Sequence, residues 1–485
     1  MVQYKSNPYN ILIPVEEREE FLLFNTLTGG IEVLEFEEGI LVAELLSLKS
    51  FVKPNEEQNV QFCHLFDYLV EKEYILNEDQ PIVGILEKHI SDKQYKNAET
   101  IHLTIGTTIT CNMGCSYCFE FIKPNHTLKD ERVKKQTVTY IEQIINNSGH
   151  PIRKLSVTWY GGEPLINVRA IEDMSVGLIQ LASDYNLEYE ATIITNGIYL
   201  TPENTSKLVS CKVGSAQVTI DGAREVHDRK RPLKQKQAEN YFRILRNLAQ
   251  VPKEIQIAIR MNVDHEVANT AEQLLDDLAS YEIWPQRYDQ FKLTPAWLRS
   301  YEEIEMTEDE KDRRMTIDEY FDFKQRFRLL QLEKFNEWSA TNGGKKALLK
   351  WDLPEYQSAC PTWASPVSLV VDPNGKIHKC WETIHDESQA PASVFDDYDP
   401  AQFSYYTSFN RFNHHVVCRN CKFLPVCDKI SCSFEAIKHA VPQCTAWKYK
   451  AQSYIKAQYL RMKEHPETIN TPQTVDGINT GHSNK

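Results

Sequence analysis

Cysteine is unevenly distributed along this chain, and this distribution limits the possible folds more than any other feature. Three of the twelve cysteines, Cys111, Cys115 and Cys118, lie within eight residues, and seven more lie between Cys360 and Cys444. At about 2.5% of the chain, cysteine is far below the roughly 8–10% of a disulfide-stabilised scaffold. The N-terminal residues lack the apolar core of a signal peptide, so we expect a cytoplasmic protein with reduced thiols. Clustered thiols in such a protein point first to metal ligands.

Size and charge exclude several other classes. The chain has 485 residues, enough for two to four domains of about 100–200 residues each. Its 68 acidic residues exceed its 54 basic residues, giving a net charge of -14, which argues against nucleic acid as the main partner. We find no apolar run near the ~18 residues of a membrane span, so no membrane partner is expected.

Residues 1–90 are predicted to form a separate domain of the winged-helix kind. An apolar strand begins at Tyr9, and Gly29-Gly30 lies between two apolar runs as in a hairpin turn. Two helical patterns follow at Ile40–Leu48 and Val60–Lys72, and a returning strand begins at Tyr74.

Residues 100–298 alternate between strand and helix patterns. The strand candidates are His102–Thr110, Leu155–Tyr160, Glu190–Thr195, Ala216–Ile220, Ile255–Val263 and Gln290–Thr294. The helix candidates are Glu131–Asn147, Val168–Tyr185, Pro202–Val209, Ala238–Gln250 and Val267–Ser280. This alternation predicts parallel βαβ units in an α/β fold. Right-handed crossovers would form either an open six-stranded barrel or a doubly wound sheet, and the pattern does not choose between them.

The rest of the chain divides into three segments. Residues 299–357 are predicted to be a helical linker with one long helix at Met315–Trp338. Residues 358–450 form the cysteine-rich segment. The polar tail, 466–485, is predicted to be disordered.

The three-cysteine loop directly follows the first strand of the alternating segment, with C-x3-C-x2-C spacing. A structural zinc site takes four protein ligands, so a zinc knuckle fits the loop less well. Three thiolates on one short loop suit a [4Fe–4S] cube in which one iron keeps an open position.

The loop Cys111-Asn-Met-Gly-Cys115-Ser-Tyr117-Cys118 resembles the signature of the radical S-adenosylmethionine (radical SAM) superfamily. The resemblance implies that Cys111, Cys115 and Cys118 hold the catalytic cluster, with Tyr117 as the aromatic residue of the motif beside the cofactor. In that superfamily the open iron binds S-adenosylmethionine, whose cleavage releases a 5′-deoxyadenosyl radical.

Further matches lie at the ends of later strands. Gly161-Gly162-Glu163-Pro164 resembles the superfamily's G-G-E-P motif, which binds the methionine amino group of the cofactor. By the same resemblance, cofactor contacts are expected from Thr195, Asn196, Arg260 and Asn262, and a catalytic role from Asp221. His227 and Arg231 follow Asp221 without an assigned role. Active sites of barrel enzymes lie at these strand ends.

The seven C-terminal cysteines resemble the SPASM extension of radical SAM enzymes, although four residues separate Cys427 from Cys432 where three are usual. The resemblance implies one auxiliary [4Fe–4S] cluster on Cys418, Cys421, Cys427 and Cys444. It implies a second, with one open iron, on Cys360, Cys380 and Cys432. Spacing alone leaves two zinc-ribbon sites as the alternative. The turn Asp372-Pro-Asn-Gly375 is expected to bring Cys360 and Cys380 together on paired strands.

These resemblances together imply a partial (β/α)6 TIM-type barrel between a winged-helix domain and a SPASM domain. Residues 1–90 resemble the element that binds the leader of a ribosomally made precursor peptide as an added strand. The implied activity is radical crosslinking of that peptide, with an external electron donor such as flavodoxin or ferredoxin. A sulfur-to-carbon thioether is expected, because an open auxiliary iron suits a substrate cysteine.

Other products and functions stay open at this point. A carbon–carbon crosslink is the nearest alternative, followed by modification of a folded protein, as in sulfatase-maturing enzymes. A zinc-bound peptide carrier would not be an enzyme at all. Epimerisation would need a hydrogen donor such as Cys211, which we interpret as a buried small residue.

Overall fold

The computed structural model describes residues 2–54, 60–81, 86, 98–120, 124–235, 240–300, 305–357, 360–409, 415–438 and 444–464. The chain divides into two compact units. The first unit takes residues 1–93, 346–360 and 409–485, and the second takes residues 94–345 and 361–408. The predicted tail, 466–485, lies outside the described residues.

The described strands and α-helices are numbered here in chain order. The strands are β1 (Gln3–Ser6), β2 (Asn10–Val15), β3 (Glu20–Asn25), β4 (Ile31–Glu35), β5 (Phe51–Val52), β6 (Ile75–Asn77), β7 (Thr100–Thr108), β8 (Lys154–Gly161), β9 (Glu188–Thr195), β10 (Val213–Thr219), β11 (Gln256–Val263), β12 (Phe291–Trp297), β13 (Leu369–Val371), β14 (Lys376–His378) and β15 (Ala392–Ser393). The helices are α1 (Phe36–Ser47), α2 (Val60–Glu71), α3 (Glu131–Asn147), α4 (Val168–Asp184), α5 (Pro202–Ser210), α6 (Arg224–Lys230), α7 (Asn240–Ala249), α8 (His265–Asn269), α9 (Ala271–Ser280), α10 (Glu308–Asp312), α11 (Ile317–Thr341), α12 (Pro361–Ala364), α13 (Ser404–Thr407), α14 (Val416–Arg419), α15 (Asp428–Ser431), α16 (Ser433–Lys438) and α17 (Trp447–Glu464).

The second unit is built on six parallel strands in consecutive order, β7 to β12. A doubly wound sheet reverses its strand order at a switch point, so the unbroken order argues against that arrangement. The partial (β/α)6 barrel stays a prediction. All six predicted strands are confirmed within a few residues, and helix α3 has the predicted bounds. One face of these strands is fully buried, since Ile105, Val157 and Trp159 have no solvent exposure. The residues that alternate with them, such as Ser156 and Thr158 on β8, are partly exposed.

A C-terminal hairpin extends this sheet beyond β7. Strand β13 pairs in parallel with β7, with Leu369 opposite Leu103, and β14 and β15 follow in antiparallel order. The predicted turn is confirmed, since Gly375 donates to Asp372 O (3.1 Å) and has a φ of 83°. The expectation that Cys360 lies on a paired strand is wrong. Pro361 begins helix α12 instead, because proline suits the first helical position.

The first unit contains the predicted N-terminal elements. Strands β2, β3 and β4 form one antiparallel sheet, and β5, β1 and β6 form another. The hairpin at Gly29-Gly30 and the two helices are confirmed, whereas the winged-helix classification stays a prediction.

The C-terminal residues of the first unit pack against its N-terminal residues. On β2, Ile11 and Ile13 pack in one apolar cluster with Ala451 and Ile455 of α17. The cysteine-rich segment predicted at residues 358–450 is divided between the two units, because residues 361–408 belong to the second unit. Among the described residues, no helix has both the length and the apolarity of a membrane span.

Candidate active site

The three-cysteine loop leaves the C-terminal end of β7 in the second unit. Its backbone is held by the segment after α6: Gly114 N donates to Pro232 O (2.9 Å), and Lys234 N donates to Asn112 O (2.8 Å). Met113 and Leu233 form an antiparallel bridge between these two bonds. The loop is therefore fixed by main-chain hydrogen bonds to the end of another βα unit.

The Gly-Gly-Glu-Pro motif lies directly against the entry to this loop. Gly162 N donates to Thr108 O (2.9 Å). A Cβ atom on Gly161 would lie 2.1 Å from Thr108 O, and one on Gly162 would lie 2.5 Å from Ile109 O. Only glycine allows such a close approach. Pro164 O accepts from the Thr107 hydroxyl (3.0 Å), which tightens the same contact.

Glu163 is fully buried and connects the ends of two strands. One carboxylate oxygen accepts from the Thr195 hydroxyl (2.7 Å) and Leu165 N (3.1 Å), and the other accepts from Asn196 N (2.7 Å). Burial raises the pKa of Glu163, while these donors oppose the shift by favouring the charged form. Because protein donors already engage both oxygens, the contacts indicate that Glu163 positions Thr195 and Asn196.

Asn196 extends from β9 to the cysteine loop. Its amide nitrogen donates to Asn112 Oδ1 (2.7 Å) and lies 3.9 Å from Cys111 Sγ, and Met113 N donates to the same sulfur (3.4 Å). Burial raises the pKa of Cys111 to about 12. A bound iron ion would favour the thiolate form of Cys111. N–H groups that donate to its sulfur are consistent with a cysteine that ligates an iron–sulfur cluster.

Tyr117 and Asp221 form the second polar contact of the site. The Tyr117 hydroxyl donates to Asp221 Oδ2, and it accepts from Arg231 Nη1 (2.6 Å). Asn262 N donates to Asp221 Oδ1 (2.7 Å), and Arg260 Nε donates to Asn262 Oδ1 (3.1 Å). The structure thus joins the aromatic residue of the cysteine loop to the ends of β10 and β11.

Arg231 is the residue that sequence reasoning left without a role. Its side chain is buried, and its Nε has no hydrogen-bond partner in the described structure. Burial disfavours its charge, but electrostatic interactions with Cys115, Tyr117 and Asp221 raise the pKa of Arg231 well above its usual value. One signal in the sequence could have marked Arg231: it lies four residues after His227, a helical spacing that places two side chains on one face. His227 Nδ1 accepts from Asp221 N (3.1 Å).

Cys380 lies on the same side of the second unit as the cysteine loop. Burial, followed by the charges of Glu120, Cys118 and Cys380, raises the pKa of Tyr160. The rings of Tyr160 and Trp381, the residue after Cys380, lie 5.4 Å apart between centroids. Tyr160 therefore lies within electrostatic range of both cysteine segments.

Four of the C-terminal cysteines are brought together in the first unit. Burial raises the pKa of Cys418, and the thiols of Cys427, Cys421 and Cys444 raise it further, so all four lie in one neighbourhood. All twelve cysteines are among the described residues, and none forms a disulfide bond. This donor set fits an iron–sulfur cluster with four thiolate ligands.

The described residues contain no group of three His, Cys, Asp or Glu side chains close enough to hold a single metal ion. A cube carries its thiolates on four separate irons, so it spreads them more widely than a zinc ion with bonds of about 2.3 Å. Cys360 and Cys432 belong to the first unit and Cys380 to the second. Their assignment to one cluster stays a prediction.

The chain resembles known proteins over part of its length. Residues 105–278 match the Radical SAM superfamily. The chain is 24% identical over 213 residues to a radical SAM cyclopropyl synthase, TigE, of Paramaledivibacter caminithermalis, covering 39% of this chain and 43% of that protein. It is 30% identical over 135 residues to an uncharacterised protein of Methanocaldococcus jannaschii, covering 27% of this chain and 42% of that protein. The matches thus span less than half the length of either relative.

The fold is also similar to that of a solved structure described as "Native anSMEcpe with bound AdoMet and Cp18Cys peptide". The two chains superpose with a TM-score of 0.53 at 16% identity, over 76% of this chain and 99% of the other. This likeness shows a common mixed α/β fold with a parallel sheet. The cysteine loop, the glycine pair and Glu163 all lie within the matched region, 105–278.

Proposed function

We propose that this chain, whose residues 105–278 form a radical SAM domain, is an enzyme that crosslinks a ribosomally made precursor peptide. The observation that carries the proposal is the junction at the C-terminal ends of β7 to β11. There Asn196 contacts the loop of Cys111, and Tyr117 of the same loop contacts Asp221 and Arg231.

Cys111, Cys115 and Cys118 would hold the catalytic cluster, and S-adenosylmethionine would bind beside Gly161, Gly162 and Asn196. Bound there, the cluster and the cofactor would supply the chemistry of hydrogen-atom abstraction. Glu163 positions Asn196, and the glycine pair lets the backbone at the entry to the cysteine loop lie directly against the end of β8. Thr195, Arg260 and Asn262 complete the polar surroundings expected of the cofactor site.

Asp221 and Tyr117 hold a proton at a defined place. Burial raises the pKa of Tyr117 well above its usual range, so its hydroxyl stays protonated and donates to Asp221. Arg231 balances the buried carboxylate, from which its Nη1 lies 3.8 Å away. We assign Asp221 the catalytic role, as the resemblance implies, and Tyr117 and Arg231 the role of positioning it.

Two auxiliary clusters are proposed in addition. Cys418, Cys421, Cys427 and Cys444 would hold one, and Cys360, Cys380 and Cys432 the other, with an external flavodoxin or ferredoxin as electron donor. In a thioether crosslink the peptide loses one hydrogen atom from carbon. It also loses the thiol proton, which would leave to solvent, and one electron, which an auxiliary cluster would accept. A cytoplasmic location, where thiols stay reduced, fits this chemistry.

The proposed product is a sulfur-to-carbon thioether. Carbon–carbon bond formation is the second candidate, because one relative, TigE, is a radical SAM cyclopropyl synthase and a cyclopropyl ring requires a new carbon–carbon bond. Both products cost the peptide two hydrogens per bond. A precursor core without cysteine would decide for the second candidate.

The leader of the precursor would bind at strand β4 in the first unit. β4 is an outer strand of its sheet, and Val33, Phe36 and Ile40 beside it are 41–52% exposed. Asn25 N donates to Gly30 O, so pair 25–30 is hydrogen-bonded. Hydrogen-bonded and non-hydrogen-bonded pairs alternate along β3 and β4, so the N–H and C=O of Val33 point away from β3. A peptide could add there as a further strand.

The cofactor chemistry can be tested without the precursor. Anaerobically reconstituted protein with dithionite and S-adenosylmethionine should form 5′-deoxyadenosine, and the triple variant C111A/C115A/C118A should form none. A C211A variant is the matched control, because Cys211 is buried away from the loop at the end of α5. Equal deoxyadenosine from the triple variant would refute the assignment of the loop.

A further inference from the structure

The four-cysteine segment, residues 418–444, belongs to the same compact unit as the N-terminal sheet. Cys418, Cys421 and Cys427 pack against an apolar cluster that contains Tyr9 and Leu27. Both of these residues are about 5% exposed. The cysteine side chains therefore border a core to which the N-terminal residues contribute.

Hydrogen bonds join the two segments at Lys422, which lies between Cys421 and Cys427. The Lys422 ammonium donates to Asn10 O (3.1 Å). The hydroxyl of the buried Thr26 donates to Lys422 O. The cysteine segment thus contacts β2 and the turn after β3 through both its side chain and its backbone.

Two buried asparagines continue this contact into the hairpin. Asn25 Nδ2 donates to Asn10 Oδ1 (2.8 Å), and Asn10 Nδ2 donates to Tyr74 O (2.7 Å). Asn25 Oδ1 accepts from Leu27 N (2.9 Å) and Thr28 N (3.0 Å). These bonds set the turn that leads into β4. The residues that touch the cysteine segment are therefore those that shape the start of the strand.

The cysteine segment has little regular structure of its own. Its described α-helices, α14 to α16, have four to six residues each, too short to be stable in isolation. Segments of this kind take much of their folding free energy from a bound metal. Loss of the metal would release the partners of Asn10 and Thr26.

We propose that the four-cysteine site has a structural function besides electron transfer: when loaded, it anchors the turn 25–30 and the strand β4. Loading of this site then sets how well β4 accepts a leader peptide. This consequence rests on the proposed function, whereas the anchoring itself is a property of the first unit and can be measured without any peptide.

The test is amide hydrogen–deuterium exchange of the full chain. The clusters are reconstituted with iron and sulfide, and no peptide is added. In the C418A/C421A variant we expect amides of residues 22–35 to exchange at least about tenfold faster than in loaded wild type. Amides of α3 (Glu131–Asn147), in the other unit, should keep their rates. The C111A/C115A/C118A variant also loses iron, but residues 22–35 should stay protected.

A second variant guards against general unfolding of the first. K422M keeps all cysteines, so its iron content should equal that of wild type, but residues 22–35 should still exchange several-fold faster. Unchanged exchange there in both C418A/C421A and K422M would overturn the anchoring proposal without affecting the leader site. Faster exchange in both with unaltered leader affinity would confirm the anchor and count against β4 as the leader site.

Discussion

At the scale of single residues, the contact between Tyr117 and Asp221 decides how the site holds its buried charges. Asp221 is fully buried and takes hydrogen bonds from the Tyr117 hydroxyl and Asn262 N. Arg231 donates to the same hydroxyl. Tyr117 thus belongs at once to the cysteine loop and to the charged pair.

The substitution Y117F should therefore weaken the site without unfolding it. It removes the donor to Asp221 and the acceptor of Arg231, and such losses cost about 1–3 kcal/mol. We expect the KM for S-adenosylmethionine to rise about tenfold or more, measured from 5′-deoxyadenosine formation at several cofactor concentrations. Y140F is the control, because the buried Tyr140 hydroxyl has no hydrogen-bond partner in the described structure. Kinetics of Y117F equal to those of Y140F would contradict this role.

Sequence motifs singled out residues that the structure brings together, but they did not predict the contacts among them. Cys111, Glu163 and Asn196 could be found because motifs recur at fixed places after strands. The role of Glu163 in holding Asn196 could not, since burial and the choice of partner depend on how β8 and β9 are aligned. The contact of Arg231 with Tyr117 was not predicted because the two residues lie 114 positions apart in the chain.

At the scale of elements, prediction succeeded where patterns are long and regular. The strand at Leu155–Tyr160 and helix α3 follow from apolar periodicity alone. The pairing of β13 with β7 was not predicted, because three residues carry little pattern and the partner Leu103 is distant in sequence. The packing of α17 on β2 was missed for the same reason.

The outward backbone of β4 gives a prediction at this scale. V33P removes an N–H that points away from β3, so the sheet loses no hydrogen bond. Edge strands tolerate proline at such positions. Affinity for the leader of a candidate precursor, taken from a small open reading frame beside the gene, should fall at least about tenfold, measured by fluorescence anisotropy. V33A keeps the N–H and should bind within about threefold of wild type. If V33P binds as well as V33A, the leader does not add to β4.

At the scale of the whole molecule, the proposed function requires three iron–sulfur clusters in one chain. Anaerobically reconstituted protein should contain about twelve irons per chain, and C418A/C421A should contain about eight. C211A should keep the full iron content, because Cys211 lies outside the cysteine clusters. A preparation that binds zinc alone, with no iron, would contradict the enzyme and favour a peptide carrier.

The central claim is that this chain crosslinks a peptide by radical chemistry. The most direct test is the mass of a candidate precursor peptide, taken from a small open reading frame beside the gene, after anaerobic co-expression with the chain. We predict a loss of two hydrogens per bond with the wild type and an unchanged mass with C111A/C115A/C118A. An unchanged mass with the wild type, in cells where its clusters are loaded and deoxyadenosine forms, would contradict the claim.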